Sequence, residues 1–449
     1  MNSVIRKQKQ IGTVTALFIA MLLFKFAIDL GYWVILTRDT VTYAKDFNAV
    51  KYVVGLLWCV VLFFCIRHTE RKASTFFLYL VFLLQIIPIT TIYALGNDSS
   101  AYYNVLCGAF LLCELLVRYT ASSTFFQRNT VISKAMLWCF GGAIVLLMIV
   151  VVKNNGAPSL IALNIYDVYE LRRSGSFQIG KYMNYILTWS TKVFIPLFLA
   201  ISLLKRRYLA ALLFCVLQCL LYLYTGNKGW LFMLPMVVVC ALWARRKNGY
   251  KELFLCACVG CAVLVLLACF SPVLERLWNE VYSLFCRRVM IVPANNKFKY
   301  FDYFTSHPKL GFSGIFPRWI IDIPDPLNGL KYTYDISAIY YGKPEMNSNT
   351  GFFAEGFMRF GHLGTVAIMI LFAGILKQID KLQQRIGYAL TIGIFVYPMF
   401  GLADGHLLDT MVLGPWMLLL LILMFYQTRE PSKLKENSLE HQRSLSKII

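Results

Sequence analysis

Residues 349–364 read NTGFFAEGFMRFGHLG and run without a break into TVAIMILFAGIL, residues 365–376. A polar segment therefore enters a membrane-length apolar run that still carries charges near its start. On a helix Glu355 and Arg359 are four apart, and Arg359 and His362 three apart. The spacing predicts an acid, a permanent cation and a titratable ring on one face. Gly351, Gly356, Gly361 and Gly364 strip side chains from their surroundings, which lets a second backbone or a substrate come close. The rest of the chain reads as a scaffold that presents this stretch at the outer membrane surface.

That scaffold is apolar throughout. Of 449 residues, 58% are hydrophobic and 15% charged, more apolar than a soluble domain can hide in its core. The apolar runs are roughly 15 to 26 residues long, about what a helix needs to cross ~30 Å of hydrocarbon, and they lack the alternation of a membrane barrel. The expectation is an all-α polytopic membrane protein with twelve spans: 11–35, 50–66, 75–95, 103–117, 135–152, 184–204, 208–224, 230–244, 252–271, 351–376, 386–403 and 411–427. Residues 1–271 then hold nine helices and an outer loop at 153–183. Residues 272–350 form a large outer loop, 351–427 the last three helices, and 428–449 a polar tail. The opening MNSVIRKQKQ lacks a small-residue cleavage site and reads as the start of a retained first helix.

A net charge of +21 would point to nucleic acid in a soluble protein. In a membrane chain it first reports sidedness, and nucleic acid is set aside as a partner. With the amino terminus inside, every inner connection is basic (Arg67, Arg71 and Lys72; Lys205, Arg206 and Arg207; Arg245, Arg246 and Lys247), whereas the outer connection 96–102 carries no cation. Both termini are expected in the cytoplasm. The 13 cysteines sit mainly within apolar runs and read as small buried hydrophobes. Lys25 and Asp29, four apart inside a span, should neutralise one another. Glu114 and Lys192 look unpaired, so each should face protein or a polar cavity.

The two long outer loops are exempt from the charge rule, so their cations point to an anionic partner outside the membrane. In the first, Tyr166, Asp167, Tyr169, Glu170, Arg172 and Arg173 precede a flexible stretch at 174–180. Arg172 and Arg173 suit a phosphate held bidentately, and a local Glu170–Arg173 ion pair on a solvated helix is the open alternative. The turn TGNKG at 225–229 sets Lys228 at the mouth of the bundle; it lacks phosphate-loop spacing, and snorkelling is the plain alternative. In the second loop Arg287 and Arg288 precede KFKYFDYF, residues 297–304. Its aromatics are expected on a helix lying in the membrane interface, and Arg287 and Arg288 are expected to meet substrate. GLADGHLLDTMVLG, residues 401–414, brings Asp404, His406 and Asp409 to a membrane boundary. Asp404 and His406 are base candidates, and Asp409 is expected to cap or solvate. There is no DxD pair, HExxH, Cys/His ligand spacing or GxSxG elbow, so neither metal nor cofactor is expected.

YELRRSG at 169–175, TGNKGWL at 225–231, RRVMIVP at 287–293 and above all NTGFFAEGFMRFGHLG, set in a twelve-span plan with one dominant late loop, resemble the oligosaccharide repeat-unit polymerases, the O-antigen polymerase (Wzy) family. The resemblance implies a GT-C-like glycosyltransferase of the bacterial inner membrane. It would move a growing glycan from undecaprenyl pyrophosphate to the non-reducing end of an incoming lipid-linked repeat unit, with a chain-length regulator and a flippase as partners. Arg172, Arg173, Arg287, Arg288 and Arg359 would then hold the leaving pyrophosphate, and Glu355, His362, Asp404 and His406 are the base candidates. An O-antigen ligase would use the same donor. A flippase should have short outer loops and a charged central cavity, which this sequence does not favour.

Overall fold

In a computed structural model of the chain, residues 2–39, 42–68, 70–120, 133–163, 168–173, 175, 177–271, 273, 275–316 and 320–426 are described. Tyr166, Asp167 and Ser174 of the first outer loop, the Arg173 side chain, and the tail 428–449 lie outside the described residues. The described residues are helical or irregular, with no strand among them. Among them eight helices are long and apolar enough to cross a membrane, including Ser100–Tyr119, Lys181–Leu204, Gly249–Phe270 and Phe352–Ile386. Four shorter apolar helices, Ala49–Cys65, Lys228–Trp243, Tyr388–Gly401 and Pro415–Phe425, fall where the sequence predicts the other spans.

Local chemistry sets the helix ends. Asn48 and Asn227 cap Ala49–Cys65 and Lys228–Trp243, each side-chain oxygen accepting from an N–H of the first turn (3.1 and 3.2 Å). Gly226, at φ +63°, closes Tyr208–Thr225 in the left-handed conformation that glycine adopts freely. Three helices widen by one residue into π-helical turns, Phe82–Ile86, Ser190–Phe194 and Ser283–Ile291. Each widened turn runs directly into a segment with proline at its second residue: Pro88, Pro196 and Pro293. Proline has no N–H and collides with the carbonyl four residues back, and the extra residue absorbs that collision.

Small residues allow the tightest crossings. A Cβ on Gly393 would sit 2.8 Å from the Ala200 Cβ and 3.1 Å from that of Ala241, so three helices meet there without side chains between them. Lys25 and Asp29 do pair. Thr91 Oγ1 and Tyr52 Oη also donate to the Asp29 carboxylate, at 2.7 and 2.9 Å, which satisfies the ion pair inside the bundle. Glu114 is buried, and among the described residues neither carboxylate oxygen has a hydrogen-bond partner.

Two expectations are corrected here. The aromatic run 297–304 faces the protein interior rather than a membrane surface. It sits on the helix Val292–Ser306 with Phe298, Tyr300, Tyr303 and Phe304 buried, Phe298 and Phe301 against Tyr102, and Tyr300 and Phe304 against Tyr332. These rings serve as core because neighbouring helices supply enough apolar partners to cover them. Nor is the tenth span a single helix. Phe360 (φ −136°, ψ 18°) and Gly361 (φ 65°, ψ −151°) break Phe352–Ile386, and only glycine takes the second conformation without strain. The short arm before the break folds against the long one: a Cβ on Gly356 would lie 2.6 Å from Gly364 O, and one on Gly364 would collide with Gly356 O.

Candidate functional site

The short arm, residues 352–359, is pinned at both ends. At its start Phe352 N donates to Leu402 O at 3.4 Å, and a Cβ on Gly351 would lie 2.6 Å from the same oxygen. Asn296 Nδ2 and Tyr300 Oη donate to Asn349 O and Ser348 O at 2.6 and 2.8 Å, tying the entry to the helix Val292–Ser306. At its end the carbonyls of Met358 and Arg359, orphaned by the break, accept from Leu310 N and Gly311 N at 3.0 and 3.1 Å.

On this arm Glu355 and Arg359 are buried, at 0% and 2% exposure. One Glu355 oxygen accepts from Leu407 N (2.6 Å) and Leu408 N (3.1 Å), the other from Asp409 N (3.2 Å). Those N–H groups open the single helical turn Leu408–Met411, so the carboxylate caps it from a distant part of the chain. Arg359 Nη1 donates to Gly311 O (2.9 Å) and Ser313 O (2.8 Å), Nη2 pairs with the Asp409 carboxylate, and Nε lies 3.6 Å from Glu355. The planar guanidinium thereby joins three segments that are distant in sequence, 311–313, 355–359 and 409.

The other Asp409 oxygen lies 2.6 Å from His406 Nδ1. With Nδ1 committed to a carboxylate, Nε2 is the nitrogen that can take a proton from a substrate. Burial pulls the imidazole down, but the hydrogen bond and charge of Asp409, with Glu355, outweigh it and hold His406 above its ordinary value. Burial likewise raises Asp409, and His406 and Arg359 more than reverse it, leaving the carboxyl below its usual range.

Asp404 stands in the field of Lys192, Lys297 and Arg288. Its side chain is exposed, yet desolvation by the surrounding protein raises its carboxyl, and the three cations only partly oppose that. Lys297 is completely buried and donates to Pro293 O (3.2 Å) and Ala403 O (3.3 Å), both neutral. Burial draws its ammonium down to about 7, against the pull of Asp404. Three cations face one carboxylate, an arrangement that favours a bound anion.

Of the residues singled out from sequence, the structure brings Glu355, Arg359 and His406 into one cluster and Asp404 and Arg288 into the adjoining one. His362 is separated from Glu355 and Arg359 by the break at Gly361. It lies exposed with its ring against Phe357 and Phe301, and the expectation of one shared face fails there. Arg287 turns back to Ser283 Oγ at 2.8 Å. Arg172 Nε donates to Gly226 O at 3.0 Å, which fixes it to the turn that carries Lys228. A Cβ on Gly229 in that turn would lie 3.8 Å from Tyr397 Oη, and Tyr397 is an electrostatic neighbour of Asp404, so the turn borders the cationic group.

Three participants were not placed in the site from sequence. Asp409 was read as a cap, although its three-residue spacing from His406 was visible. Lys192 was visible as an unpaired charge within a span. Lys297 was hidden among aromatics.

Glu355, His406 and Asp409 bring one ligand atom each to within 4.8 Å of one another. The set does not fit a metal: Glu355 already accepts three N–H groups, Asp409 serves Arg359 and His406, and a fixed guanidinium opposes a second cation. Against known proteins, no family model, curated protein or solved structure matches the chain closely enough to establish kinship.

Proposed function

We propose that the chain is a membrane glycosyltransferase that polymerises lipid-linked oligosaccharide repeat units, moving the growing glycan from undecaprenyl pyrophosphate to the non-reducing end of an incoming lipid-linked unit. The observation that carries this reading is the Asp409–His406 dyad, set by the buried Glu355–Arg359 arm beside the cation group of Lys192, Lys297 and Arg288. Its chemistry suits displacement of a pyrophosphate by a hydroxyl. His406 Nε2 takes the acceptor hydroxyl proton as that oxygen bonds to the anomeric carbon. The bond from that carbon to the pyrophosphate oxygen breaks, and its electron pair stays on the leaving group. The three cations meet the charge as it develops, with Arg172 and Lys228 at the rim. Glu355 and Arg359 are positioning residues in this scheme, because both Glu355 oxygens and both terminal nitrogens of Arg359 are already engaged.

The finer architecture belongs to the same proposal. The chain would cross the inner membrane twelve times in a GT-C-like plan, with both termini in the cytoplasm and the dyad at the outer face. A chain-length regulator and a flippase would act beside it. Supporting the sidedness, Arg71, Lys205 and Arg245 gather around one cavity at the helix ends remote from His406.

Deleting the gene in its source strain and running lipopolysaccharide on a gel tests the reading. The proposal expects core capped by a single repeat unit. Core without any repeat contradicts it; accumulated lipid-linked polymer would then indicate a ligase, and accumulated single units a flippase.

A further inference from the structure

At the end of the bundle away from the dyad, a cavity of about 440 Å³ opens between helix ends. That volume lies within the roughly 300–1,000 Å³ of small-molecule sites. The helix Tyr388–Gly401 separates it from the Asp404 turn by about 20 Å, at 1.5 Å per residue. Arg71, Lys205 and Arg245 line it together with Leu204, Ile386 and Leu390, and among the described residues none that lines it is acidic.

The two arginines are fixed by neutral groups. Arg71 donates to the carbonyls of Ala244 and Arg245 (the latter at 3.3 Å), and its guanidinium lies 4.8 Å over the Tyr388 ring. Arg245 donates to Leu203 O at 3.1 Å and Leu204 O at 2.6 Å. Hydrogen bonds to carbonyls orient a guanidinium without neutralising it, so positive charge remains in the lining of a largely apolar cavity.

We propose that this cavity binds an anionic phospholipid, the phosphodiester meeting Arg71, Lys205 and Arg245 and the first chain methylenes lying on the apolar wall. A lining that combines three cations with apolar side chains matches both parts of a lipid, whereas a small soluble anion would leave the apolar lining unused. The chain's own tail is the wrong occupant. Residues 427–449, which follow the lining residue Tyr426 in the sequence, carry five Lys and Arg against three Glu, the same sign as the cations that line the cavity. The site is independent of the dyad and stands whether or not the chain is a polymerase.

The test is native mass spectrometry of the full chain in detergent, titrated with phosphatidylglycerol or phosphatidylcholine. Wild type should retain phosphatidylglycerol in clear preference. Lys205→Glu removes one cation and adds one anion, and should weaken that retention about twentyfold; the milder Lys205→Gln should weaken it about fivefold. Lys134→Glu, an equal charge reversal at an exposed position that does not line the cavity, should leave retention unchanged. Equal retention of phosphatidylcholine overturns the proposal, and so does an equal loss in Lys134→Glu, which would assign the preference to diffuse surface charge.

Discussion

In the proposed transfer His406 serves as the base because Asp409 fixes its tautomer, and that dependence is measurable. Asp409→Asn should keep the shape of the turn while lowering the transfer rate roughly 10²-fold, since an oriented base contributes about 10²–10⁴. The direction of the pH effect follows from charge. Asp409 holds the imidazole above its ordinary value, so His406 loses its proton, and the rate rises, across a correspondingly high pH range. The asparagine should move that rise to lower pH. On the alkaline side of kcat/KM, loss of the Lys297 ammonium near pH 7 should weaken anion binding and bring the rate down. An acidic limb unmoved in Asp409→Asn would remove the dyad from the mechanism. Arg359 is tested through stability. It meets two carbonyls and two carboxylates, and an ammonium cannot span that fork. Arg359→Lys should cost on the order of 3–5 kcal/mol, as breaking a buried ion pair does, and appear as a lower thermal midpoint in detergent. Glu355 and Arg359 were legible in the sequence as an i,i+4 pair. Asp409 showed only its spacing from His406; its pairing with Arg359, and the hold of Glu355 on its N–H, join segments far apart along the chain, and sequence spacing shows only local faces.

Among the elements, the break at Phe360–Gly361 decides the site. An unbroken helix would carry Glu355 and Arg359 along the line of the long arm, away from Leu407–Asp409. The break instead lays residues 352–359 against Gly364, where only a glycine fits. Gly364→Ala should force the two arms apart, and the variant should lose both transfer activity and thermal stability. A fully active, equally stable Gly364→Ala would contradict the role given to that crossing. The sequence displayed the glycines but not the bend, since each glycine alone suits either a close crossing or a turn. The proline-linked π-helical turns were harder still to foresee. Lys192 lies within the one before Pro196, and Arg288 within the one before Pro293. An extra residue in a turn rotates every later side chain about the helix axis, which hides from a 3.6-residue pattern which cations face Asp404.

For the whole molecule, hydropathy was enough to read an all-helical membrane chain, because hydrocarbon forces every backbone group into intrahelical bonds. The apolar helices lie where that pattern put them. The aromatic run 297–304 misled because amphipathic composition describes an interfacial helix and a core helix equally well, and only neighbours such as Tyr102 and Tyr332 separate them. What joins the scales is a buried charge network at one end of the bundle that orients a histidine beside cations. The most direct test is reconstitution of the purified chain in vesicles with undecaprenyl-pyrophosphate-linked repeat units, following glycan length with wild type and His406→Gln. The account predicts a ladder of longer lipid-linked glycans from wild type, with undecaprenyl pyrophosphate released, and single units only from a folded His406→Gln. A ladder from His406→Gln at the wild-type rate would contradict it.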